Sequence, residues 1–179
     1  MAERKTIWRL FFVWNYEKAE RWLNEMAMSG WVLVRVTWPG RFTFEACEPG
    51  EYIIRTEMNN NESYVSFLEE TGAEYIGRCL RWVYFRKKSE MGPFDLFSDI
   101  DSKLSHLKRI ETLLLIMSVV LLVSGLLNLF IAAGNNSDYD VLNAVASSSN
   151  LLVCALGMYG LGRIQGKKED LERDRLLHE

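Results

Sequence analysis

The sequence is poor in the residues that most often carry chemistry. It holds two histidines, His106 and His178, and three cysteines, Cys47, Cys79 and Cys154. No G-x-S-x-G, H-E-x-x-H or phosphate-loop pattern occurs. An odd cysteine count without C-x-x-C spacing excludes a disulfide framework and a structural zinc site, and it fits a reducing compartment. The three prolines all stand beside glycine, in Pro39-Gly40, Pro49-Gly50 and Gly92-Pro93. They punctuate the chain without interrupting its elements. Net charge is −3 and mixed in sign, with no basic stripe, so nucleic acid is not indicated as a partner. The acids Asp95, Asp99 and Asp101 lack the ligand order of a calcium loop and read as a helix start after Ser98. The sequence therefore points to no metal, no cofactor and no enzyme.

Charge itself is missing from two long stretches. None occurs between Glu111 and Asp138, nor between Asp140 and Arg163. Each contains a 22-residue apolar segment, Thr112 to Ala133 and Val141 to Gly162. At 1.5 Å per residue each reaches about 33 Å, enough to cross a bilayer core. The second segment carries Asn143, Ser147, Ser148, Ser149 and Asn150, which suit packing on a neighbouring helix; Ser124 and Asn128 of the first segment are the expected partners. Lys103, Lys108 and Arg109 precede the first segment, and Arg163, Lys167, Lys168, Arg173 and Arg175 follow the second. The loop from Gly134 to Asp140 has no Lys or Arg. By the positive-inside rule both termini face the cytoplasm of a multi-pass cell-membrane protein. Ile7 to Trp14 is too short for a signal-peptide core and contains Arg9.

The organisation expected is a cytosolic domain over 1–90 and a linker with juxtamembrane helix over 91–111. A transmembrane hairpin over 112–162 (spans 112–133 and 141–162) and a charged cytosolic tail over 163–179 follow. His106, on the juxtamembrane helix, reads as an interfacial side chain and not as a catalyst.

The first domain reads as α+β. Ile7 to Trp14 has strand composition. Glu17 to Met28 is helical, with apolar residues at Ala19, Trp22, Leu23, Met26 and Ala27. Asn15 is its expected cap and Gly30 its stop. Strands Trp31 to Trp38 and Arg41 to Cys47 follow around Pro39-Gly40. The order then repeats, with a strand over Glu51 to Glu57, a helix over Glu62 to Glu70, a stop at Gly72, and strands over Ala73 to Cys79 and Arg81 to Lys87. At an offset of 42, Gly30 aligns with Gly72, Trp22 with Tyr64 and Val34 with Ile76. The expectation is a tandem β-α-β-β repeat forming one antiparallel sheet with two helices on one face, followed by the two-helix hairpin.

Both alternations of the first and last strands are largely apolar. A sheet covered on one side needs only one apolar face. The second face is thus expected to bind something, through Trp8, Phe12, Trp82 and Tyr84. Packing on the rest of the chain, a partner protein, a second copy in a homodimer or an apolar small molecule would each bury it, the last the less expected.

Several stretches together resemble one family. They are Trp22-Leu-Asn-Glu-Met-Ala27, Gly30-Trp31, Phe42-Thr-Phe-Glu45, Cys47-Glu-Pro-Gly50, Phe67-Leu-Glu-Glu-Thr-Gly-Ala-Glu-Tyr75, Arg81-Trp-Val-Tyr-Phe-Arg86 and Gly92-Pro-Phe-Asp-Leu-Phe-Ser-Asp-Ile-Asp101. Over about residues 7 to 110 the chain is similar to the DUF2812 family of bacterial proteins. The resemblance implies C-terminal membrane spans and proximity to PadR-type transcriptional regulators, and it supplies no catalytic residue. The tandem order is also similar, in architecture alone, to the duplicated small-molecule-binding domains of the GyrI-like class. The function expected is a membrane-tethered regulatory or interaction module binding a partner protein or an apolar small molecule. The alternative is a small accessory subunit of a membrane transporter or other membrane complex.

Overall fold

The computed structural model describes residues 3–58, 61–97, 100–134 and 140–178. Two compact units emerge, Met1–Ser98 and Asp99–Glu179.

In the first unit, strand β1 (Arg4–Trp8) is followed by a 3-10 turn (Val13–Asn15), helix α1 (Tyr16–Met28), and strands β2 (Trp31–Thr37) and β3 (Arg41–Ala46). Strand β4 (Tyr52–Met58), helix α2 (Glu62–Glu70), and strands β5 (Glu74–Cys79) and β6 (Trp82–Lys88) repeat the order. All pairings are antiparallel. The α+β class and the tandem β-α-β-β order stand as expected.

The repeat extends to details. In each repeat the third strand is central, giving orders β1-β3-β2 and β4-β6-β5. Register slips by one residue at Val34 in β2 and at Ile76 in β5. These bulges fall at the two positions that the 42-residue offset aligns. Both helices end on a glycine in the left-handed region, Gly30 (φ 82°) and Gly72 (φ 85°). Their amides return to Ala27 and Glu69 carbonyls at 3.0 Å, a geometry that a Cβ would oppose. The Asn61 side chain caps α2 by accepting from the Ser63 amide at 3.1 Å. Asn15 stands at the start of α1 but makes no such bond. The 3-10 turn before it ties Asn15 N to Phe12 O instead, at 2.8 Å.

The strands form two three-stranded sheets, where one sheet was expected. β2 and β5 run close together where the sheets meet, and Arg86 Nη1 donates to Leu33 O there at 3.4 Å. The helices do not share a face of the second sheet. Ile54 and Tyr84 turn into a core built around Leu23 and Ala27 of α1, with Leu33, Phe42 and Phe44. Val83 and Phe85 turn into a core around Leu68 of α2, with Ala73 and Phe94. Side chains alternate along a strand, so β6 is covered on both sides. That covering accounts for its two apolar alternations.

Helix α1 also closes an open sheet edge. Asn24 Oδ1 accepts from Ile54 N at 2.9 Å, and its Nδ2 donates to Ile54 O at 2.8 Å. One turn earlier, Glu20 Oε2 accepts from Thr56 N at 3.0 Å. These side chains satisfy the unpaired backbone of edge strand β4.

The second unit is a pair of helices, α3 (Ile100–Gly134, 35 residues) and α4 (Asp140–His178, 39 residues). Both are long and apolar enough to cross a bilayer. At roughly 53 and 59 Å they also exceed a 30 Å hydrocarbon core. Residues 135–139 of the loop between the two apolar segments, and Ser98 and Asp99 at the expected helix start, lie outside the described residues. The helices meet along small and polar residues. Ser147 Oγ donates to Gly125 O at 2.8 Å, Asn150 Nδ2 donates to Ser124 Oγ at 3.0 Å, and Cys154 Sγ donates to Ser118 O at 3.3 Å. Asn128 turns back to Ser124 O of its own helix at 2.7 Å. Beyond the apolar stretch the pairing continues through Lys168–Glu111 at 2.7 Å and Arg175–Asp101 at 3.0 Å.

Candidate functional site

The first strand is shorter than its composition suggests, and this shapes the site. β1 ends at Trp8, opposite Arg41. Its partner strand turns at Pro39-Gly40, so the last bond is Arg9 N to Gly40 O at 2.9 Å. Gly40 sits at φ 88°, and a Cβ there would strike the Arg9 carbonyl and Leu10 Cδ2. Beyond this contact no strand remains to pair with. Residues 9 to 12 therefore leave the sheet and run across the end of the unit before the 3-10 turn.

That crossing segment walls a cleft of about 220 Å³. Phe11, Phe12, Val13 and Tyr16 form one side. The β2–β3 hairpin contributes Val36, Trp38 and Phe42, and the β5–β6 hairpin contributes Cys79, Leu80, Trp82 and Tyr84. The rings are mutually braced. Tyr16 stacks on Trp82 with centroids 5.8 Å apart, and Phe42 meets Tyr84 edge-on at 6.4 Å. Phe12 stacks on Trp14 at 4.6 Å.

Three of the four expected binding residues, Phe12, Trp82 and Tyr84, thus come together in one cleft. Trp8 does not line it. Its ring is 64% exposed, beneath the Arg41 guanidinium at 5.8 Å. The expected reason for the site, an uncovered sheet face, is replaced by another. Tyr84 and Trp82 face the α1 core, and the cleft is the gap left where the crossing segment and the two hairpin ends fail to close that core. Phe11, Tyr16, Trp38 and Leu80 were not anticipated as site residues. A signal for the last two was present, because apolar side chains beside or within tight turns depart from the polar residues that turns favour. Leu80 stands in its turn at φ 56°, the left-handed region, and is 71% exposed.

Apart from Arg9, the lining is uncharged. Burial, then the adjacent Glu17, pushes the Tyr16 hydroxyl up. Burial, then Cys79, does the same for Tyr84. Burial likewise raises the Cys79 thiol, so it is a poor source of thiolate at neutral pH. These groups and Thr56 offer neutral hydrogen bonds. Arg9 borders the cleft, its guanidinium lying 5.2 Å from the Phe11 ring centroid and 4.9 Å from that of Trp22. Among the described residues no group of three or more His, Cys, Asp or Glu could hold a metal ion. The arrangement presents aromatic walls and neutral hydrogen-bonding groups.

A family described as protein of unknown function (DUF2812) matches residues 15–119. The chain belongs to the DUF2812 family. The match runs from the start of α1 into α3 and takes in every strand but β1, so it includes most of the cleft but not the crossing segment before α1. No curated protein and no solved structure matches this DUF2812 chain.

His106 of the DUF2812 protein is on α3, in the second unit. It is fully buried, and burial, then Arg109 and Lys167, pushes its pKa down to about 3. It is therefore neutral at physiological pH.

Proposed function

We propose that this protein is a membrane-anchored binding module whose first unit takes up a small, flat, apolar molecule. The observation that carries the reading is the cleft itself, aromatic on its walls, uncharged apart from Arg9 and lined by Tyr16 and Tyr84. Apolar walls with a few polar groups are the usual make-up of small-molecule sites. About 220 Å³ is small on the scale of such sites, roughly 300–1,000 Å³, and fits a fused-ring compound or the ring portion of a larger one. The two long apolar helices support anchoring in the cell membrane, and the basic residues flanking them support cytoplasmic termini. Binding without catalysis makes the module a sensor or regulator.

The test is saturation-transfer NMR of the full chain with 2-naphthol. The native protein should give a transfer signal. Phe12→Ala removes a largely exposed ring that lines the cleft and stacks on Trp14; with folding checked by circular dichroism, it should weaken binding by about 1–3 kcal/mol. Equal signals from native, Phe12→Ala and Tyr84→Phe proteins would remove the cleft as the site.

A further inference from the structure

The mouth of the cleft is surrounded by apolar side chains that nothing in the first unit covers. Trp8 is 64% exposed, Leu10 80%, Phe12 58%, Trp38 69% and Leu80 71%. They are five of the nine large hydrophobic residues exposed among the described residues of 1–98. Four of them border the cleft directly. Trp8 adjoins them through β1, one residue before the Arg9–Gly40 bond. Arg9, Arg41 and Arg81 are exposed at the same end. Exposed apolar groups concentrated in this way mark an interaction surface.

We infer that this rim docks on the lipid bilayer, so that the cleft opens toward the membrane surface and takes its ligand from the lipid phase. The inference rests on the membrane reading above. The occupant is lipid, and not another protein, for two reasons. The same chain carries two helices apolar enough to cross a bilayer, so a bilayer that holds them is present at high effective concentration for the tethered first unit. The side chains are also those that suit a membrane surface. Tryptophans favour the interfacial region, leucine and phenylalanine the acyl boundary, and arginines the anionic headgroups of the cytoplasmic leaflet.

All six tryptophans lie in residues 1–98 and none in α3 or α4, so tryptophan emission reports the first unit alone. The full chain is placed in nanodiscs of phosphatidylcholine and phosphatidylglycerol, with plain or acyl-brominated lipid. Bromine should quench part of the emission. The quenched part should vanish in a Trp8→Phe, Trp38→Phe double variant. It should fall in Leu10→Asp with Leu80→Asp, whose circular dichroism should match that of the native chain. Omitting phosphatidylglycerol should also reduce it. Equal emission in plain and brominated discs overturns the docking while leaving the anchoring intact. So does finding the rim covered by a second copy, seen as rim-dependent cross-linking in discs holding two chains. A chain that does not enter discs at all overturns the anchoring and the docking together.

Discussion

Trp82 belongs to the core and to the cleft at once. It is half-buried, stacks on Tyr16 and packs against the α1 core. Trp82→Ala should therefore lower stability by about 1–3 kcal/mol, less than a fully buried ring would, and weaken 2-naphthol binding as well. Urea unfolding followed by circular dichroism separates the two effects. A binding loss at unchanged stability would show that Trp82 is a surface residue. Glu20 gives a pH prediction. Burial raises its carboxyl above the ordinary 4.5, outweighing the Thr56 amide and Arg55, which lower it. The unfolded chain then ionises more readily than the folded one, so this group's contribution to stability declines as pH rises from about 4.5. Glu20→Gln removes that dependence. Its stability relative to the native chain should improve as pH rises through this range, as read by denaturant midpoints at several pH values. A relative stability constant with pH would mean that Glu20 is not shifted.

At the scale of elements, the helix pair depends on close approach. A Cβ at Gly157 would strike Ser118 Oγ on the facing helix. Gly157→Leu should force the helices apart, break the Cys154–Ser118 contact and cost about 1–3 kcal/mol. It should lower the thermal midpoint in detergent, whereas a leucine at exposed Ala155 should not. The same scale shows what the sequence could and could not convey about strands. A strand is expected over Ile7–Trp14, but β1 spans Arg4–Trp8 and shares only Ile7 and Trp8 with it; it stops there because pairing needs a partner and β3 turns away at Gly40. The two apolar alternations of β6 were seen, and they follow from cores on both sides. A one-dimensional pattern records that a face is buried; it does not record what buries it.

At the scale of the whole molecule, the membrane reading makes a topological prediction. Ser137→Cys, in a chain lacking the native three cysteines, should react with an impermeant thiol reagent applied outside intact cells. Reaction only after lysis would reverse the orientation.

Several features were determined by the sequence alone. Two charge-free runs, the 42-residue repeat and the glycine stops at Gly30 and Gly72 are local or periodic, so composition and spacing suffice to show them. The tertiary structure alone decided that the strands divide into two sheets, that α1 closes the β4 edge, and that Phe12, Trp82 and Tyr84 meet while Trp8 stays at the rim. These depend on where one repeat's hairpin end lies against the other's. Contacts between residues some forty to seventy positions apart in the chain set that placement, and no local pattern encodes them.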